Sequence, residues 1–106
     1  MDRYEIYAKM IEKYGFEKQM LIAVEECSEL QKEVLKYLRG RENFTEVAEE
    51  IADVEIMIEQ LKMMFGNKQE VEVFKARKIE RTKNLYLEKY KSIWSKGEKS
   101  NDSSKS

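Results

Sequence analysis

The sequence predicts an all-α fold, a four-helix bundle-like domain of antiparallel helices, and three observations predict it. Gly15, Gly40 and Gly66 cut the chain into four segments. Each segment repeats its apolar residues at helical spacing. Each is also rich in good helix formers. With 106 residues the chain has room for one domain. We place that domain at residues 1–95. Residues 96–106 are expected to be a disordered tail, because from Ser95 the composition turns to Lys, Gly, Ser, Asn and Asp. A chain of this length buries roughly 65% of its unfolded surface, which makes a modest core.

The first segment, about Asp2 to Tyr14, sets Tyr4, Tyr7, Ile11 and Tyr14 on one stripe. It is expected to pack at the bundle edge or against a second copy; alternatively, its tyrosines wall a planar ligand. The second segment, about Glu17 to Leu38, gathers Ala23, Val24, Cys27, Leu30, Val34, Leu35 and Leu38 on a broad inward arc. Glu26 falls at the edge of that arc, with Glu29 and Glu33 beside it.

The third segment, about Thr45 to Phe65, opens on Asn43 and Glu46, spaced as a capping box, and stops at Gly66. Its arc holds Val47, Ile51, Val54, Met57, Ile58, Leu61, Met64 and Phe65. Glu50 lies inside this arc and Asp53 at its border. A glutamate in a core stripe breaks the binary pattern, and such breaks mark functional or strained positions. The fourth segment, about Lys68 to Trp94, opens on a second box, Asn67 with Glu70. Its expected inward stripe is Val71, Phe74 and Leu85, and it also carries Lys78 and Arg81.

On helices, residues three apart share a face, so Glu26 pairs with Glu29 and Glu50 with Asp53. A fold-back at Gly40 brings the two pairs together. Two carboxylates about 5 Å apart at an effective dielectric of about 20 repel by roughly 3 kcal/mol. Four together need a cation, a buried basic partner or shared protons. Magnesium, a hard ion held by a few carboxylates plus substrate phosphates, suits such a cluster. Lys78 and Arg81 on a face turned to the acids read either as structural salt bridges or as a polyphosphate clamp.

Composition removes several alternatives. Charged residues are 39% of the chain but nearly cancel, for a formal net charge of -1, which argues against a nucleic acid polymer as partner. The absence of histidine excludes the usual histidine zinc sites, Ser-His-Asp triads and the Glu-x-x-His ligands of di-iron bundles. With no proline and four glycines, nothing resembles a Walker A or dinucleotide-binding loop. The one cysteine, Cys27, fits a reducing compartment. No apolar run reaches the ~18 residues of a membrane span. A soluble, cytoplasmic protein is expected.

Glu25-Glu26-x-x-Glu29, then a gap of 20 residues, then Glu50-x-x-Asp53 resembles the EExxE and ExxD signature of the MazG-like all-α nucleoside triphosphate pyrophosphohydrolases. Leu30 after the first motif, Val54 after the second and the later Lys78-x-x-Arg81 extend the likeness over roughly residues 16 to 90. The resemblance implies Mg²⁺-dependent cleavage of a (deoxy)nucleoside triphosphate between its α and β phosphates, giving the monophosphate and pyrophosphate. It implies Glu26, Glu29, Glu50 and Asp53 as ligands of Mg²⁺, with Mn²⁺ as a substitute. Glu25 or Glu29 would orient or deprotonate water, and Lys78 and Arg81 would hold the phosphates. It also implies a homodimer or homotetramer, for which Leu87 and Tyr90 are candidate contacts. Tyr37, Phe44, Phe16 and Tyr86 are candidates to stack on the base, or they are plain packing. The competing reading is a non-catalytic helical binding or regulatory module of the same fold, its acids salt-bridged to Lys78 and Arg81.

Overall fold

A computed structural model describes the backbone of residues 1–97 and the side chains of residues 1–89. The fold is all-α and bundle-like: among the described residues there are four helices and no strand. They are α1 (Arg3–Tyr14), α2 (Phe16–Leu38), α3 (Phe44–Phe65) and α4 (Lys68–Gly97). The chain divides into two compact units at Lys68, the first holding α1 to α3 and the second nearly all of α4.

Within the first unit, α2 and α3 form an antiparallel hairpin and α1 packs against both. The hairpin turns at Gly40, whose φ of 97° is a left-handed conformation that side chains disfavour. There the Gly40 amide donates to the Tyr37 carbonyl at 2.9 Å and the Arg41 amide to the Lys36 carbonyl at 3.1 Å. Gly66 ends α3 in the αL conformation, its amide closing back on Lys62. Asp2 and Glu5 form a reciprocal capping box at the start of α1.

The two capping boxes expected from Asn43 and Asn67 do not form. Asn43 precedes α3 with ψ near 45°, outside the extended region that aims a cap side chain at the first-turn amides. Its side-chain amide donates across the turn to Glu33 instead. Asn67 Oδ1 is buried and accepts no hydrogen bond.

The buried apolar residues among those described are Tyr7, Ile11, Ala23 and Met57. The expected stripe on α1 therefore reduces to Tyr7 and Ile11, with Tyr4 and Tyr14 exposed. The wide arcs on α2 and α3 are largely uncovered in the single chain: Val24 is 65% exposed, Leu38 72% and Phe65 61%, with Cys27, Val34, Leu35, Ile51 and Ile58 also exposed. Helical period fixes which residues share a face, and the α2–α3 contact covers only part of each face. On α4, Phe74, Lys78, Arg81 and Leu85 are likewise exposed, so the predicted inward stripe is a shared face without cover. The helix runs through Gly97, two residues past the boundary expected at 95. Residues 98–106 of the expected tail, and the side chain of Tyr90, lie outside the described residues.

No helix of the described residues is long and apolar enough to cross a membrane.

Candidate metal centre

Midway along the hairpin, α2 carries Glu26 and α3 carries Glu50 and Asp53 on facing sides. One carboxylate oxygen from each lies within 4.8 Å of the other two. Glu26 and Glu50 are partly buried. Glu50 Oε1 is fully enclosed and accepts no hydrogen bond. Within residues 1–68 no lysine or arginine forms an ion pair with any of the three; the nearby pairs are Lys32 with Glu29 at 3.6 Å and Lys36 with Glu33 at 3.1 Å.

The electrostatics follow from this enclosure. Burial raises the Glu26 carboxyl above its ordinary range, and the charges of Asp53, Glu50, Glu29 and Glu25 add to the rise in that order. Glu50 is raised by the same causes, burial first and then Asp53 and Glu29. A group of acids that favours protonation and has no cationic partner within residues 1–68 is a site that a positive charge would stabilise. Three hard oxygen donors in mutual reach, on carboxylates one of which also has a buried oxygen without a partner, fit a divalent cation such as Mg²⁺ or Mn²⁺.

The other acids hold lesser positions. Glu29 is exposed and paired with Lys32, outside the three-carboxylate group but close enough to act on both Glu26 and Glu50. Glu25 is exposed and is the weakest of the charges acting on Glu26. Adjacent helical residues point about 100° apart, which turns Glu25 aside from the centre. Lys78 and Arg81 lie one turn apart on α4, in the second unit. Among the proposed stacking residues, Tyr37 and Phe44 meet across the hairpin turn with ring centres 5.4 Å apart.

Polar contacts that the sequence reading passed over lie on both sides of the centre. Gln19 Nε2 donates to Gln60 Oε1 at 2.8 Å in the interior. Beyond the other side, Asn43 Nδ2 donates to Glu33 Oε1 at 2.7 Å and to the Glu33 carbonyl at 2.9 Å. The available signal was spacing: Gln19, Glu26 and Glu33 recur every seven residues. On the remaining flank, Tyr7 donates its hydroxyl to Glu59, which also pairs with Arg3 at 3.3 Å. No family model matches the chain, and no curated protein or solved structure matches it either.

Proposed function

We propose that the chain is a Mg²⁺-dependent nucleoside triphosphate pyrophosphohydrolase, cleaving its substrate between the α and β phosphates. The observation that carries this reading is the Glu26, Glu50 and Asp53 group, together with an enclosed and unpartnered oxygen on Glu50. The likeness of Glu25-Glu26-x-x-Glu29 and Glu50-x-x-Asp53 to the MazG-like signature supplies the reaction.

In this account Glu26, Glu50 and Asp53 hold the cation. When bound, it supplies neutralisation of charge on the phosphates and a lowered pKa for water. Glu29, beside the group and outside it, is the better placed of the two candidate bases to accept a proton from the attacking water. Glu25 is left as a supporting acid. By the same likeness Lys78 and Arg81 would hold phosphates; an arginine fork grips phosphate oxygens in pairs while a lysine acts as a point charge. The exposed apolar faces of α2 and α3 favour assembly with further copies of the chain.

The test is incubation with a panel of nucleoside triphosphates and Mg²⁺, with pyrophosphate and phosphate detected separately. Pyrophosphate with the matching monophosphate is expected. Stepwise release of single phosphates would contradict the proposed bond.

A further inference from the structure

Along α2, Gln19, Glu26 and Glu33 follow at steps of seven residues, two turns apart on one face. On α3, Asp53 and Gln60 keep that step, and Asn43, in the turn just before α3, stands seven residues ahead of Glu50. Because the helices are antiparallel, Gln19 meets Gln60, Glu26 meets Asp53 and Glu50, and Glu33 meets Asn43. We propose that the Gln19–Gln60 and Glu33–Asn43 pairs are positioning residues, clamping α2 and α3 in the one register that closes Glu26, Glu50 and Asp53 on a cation. This rests on the metal-centre reading and adds the residues that set it.

Neither pair is the choice that stability alone would make. Gln19 and Gln60 are 2% and 4% exposed, and Asn43 is 6% exposed. Gln19 Oε1 and Asn43 Oδ1 are nevertheless left without partners. Amides buried with an unpaired acceptor stabilise less than apolar side chains filling the same space. What a buried polar pair supplies is a unique alignment, as a buried asparagine does between packed helices.

The alternative alignment here is a slip of one turn, about 5.4 Å. That exceeds the 4.8 Å spread of the carboxylate group, so it would part Glu26 from Asp53. It would also strand both glutamines, unpaired, in the interior. Repulsion among the acids works against the closed register. Clamps on both sides of the centre oppose the slip.

The test removes both partners of one clamp together. In the full chain carrying Gln19→Leu and Gln60→Leu, helix content and melting temperature without metal are expected to hold or rise. Affinity for Mn²⁺, followed by electron paramagnetic resonance, is expected to fall about 10–100-fold. Unchanged affinity overturns the proposal, and so does a lower melt with unchanged affinity, because the pair then serves only packing. Should the double variant not fold, Asn43→Ala is compared with Glu33→Gln, which keeps an acceptor for the Asn43 amide. The first is expected to lose affinity and the second to keep it; equal affinities overturn the proposal. If the unaltered chain binds no Mn²⁺, the metal-centre reading fails instead. Register is then measured from spin labels on Cys27 and Glu55→Cys. A distance that spreads or shifts by about one turn, ~5 Å, in the double variant supports the clamp; an unchanged distance overturns it.

Discussion

Glu26 on α2 and Asp53 on α3 hold carboxylate oxygens within 4.8 Å of each other, with Glu50 completing the group. After burial, Asp53 is the largest cause raising both Glu26 and Glu50. Like charges on two packed helices work against the contact that the hairpin depends on. A divalent cation reverses the sign of that interaction.

Metal is therefore expected to stabilise the fold. A ligand that binds only the native state adds about 2.7 kcal/mol at 100 times its dissociation constant. Thermal melts with and without chelator should show a clear upward shift with Mg²⁺ or Mn²⁺, and the shift should shrink in Asp53→Asn. Equal melts at saturating metal would favour the alternative in which the acids pair with Lys78 and Arg81.

The metal-free protein should be more stable in mild acid than at neutral pH. Glu26 and Glu50 are raised, so the folded state holds protons that the unfolded chain releases. Their penalty is present at neutral pH and is relieved as pH falls through the raised values toward the ordinary 4.5. Glu33 and Glu59 act in the opposite sense, lowered chiefly by hydrogen bonds from Asn43 and Tyr7. Their contribution is present above the ordinary carboxylate range and is lost as pH falls through their lowered values. A melting temperature that rises and then falls on acidification is expected, with the rise reduced in Glu50→Gln. A curve that falls monotonically from neutral pH would contradict the assignment of Glu26 and Glu50.

Tyr7 joins α1 to α3 through its hydroxyl bond to Glu59. Tyr7→Phe keeps the ring and removes the donor to a charged acceptor. The expected cost is about 1–2 kcal/mol, or roughly 5–10 °C in melting temperature. Because the site lies on the other helix pair, Mn²⁺ affinity should hold. Loss of metal binding without loss of stability would show that α1 shapes the centre.

The uncovered face of Val24, Leu38 and Phe65 predicts assembly. Sedimentation equilibrium should give twice or four times the chain mass of 12.7 kDa. Val24→Asp with Leu38→Asp should lower the mass toward one chain. A single-chain mass for the unaltered protein would contradict the oligomer reading.

Much of this was legible in the sequence because helical period is a strong local signal. It gave the four helices nearly to the residue, and it singled out Glu50 inside an apolar stripe, where its oxygen is enclosed. Glu26 and Asp53 at the borders of their arcs do meet across the hairpin. The period says which residues share a face but not what covers it, so Val24, Leu38 and the Phe74 face of α4 were read as buried when they are exposed. Asn43 carried two competing signals. Its spacing to Glu46 suggested a cap, whereas the Glu33 carboxylate and carbonyl across the turn offered its amide two acceptors. The Gln19–Gln60 pair was not legible from residue type, because glutamine on a helix is ordinarily a surface residue.

The most direct test of the account is pyrophosphate release from nucleoside triphosphates by the unaltered chain and by Glu50→Gln, each with Mg²⁺ and each checked for helix content. Pyrophosphate and monophosphate are expected from the unaltered chain, with a loss of at least about 100-fold in the variant, its helices intact. Near-normal turnover in Glu50→Gln would contradict it.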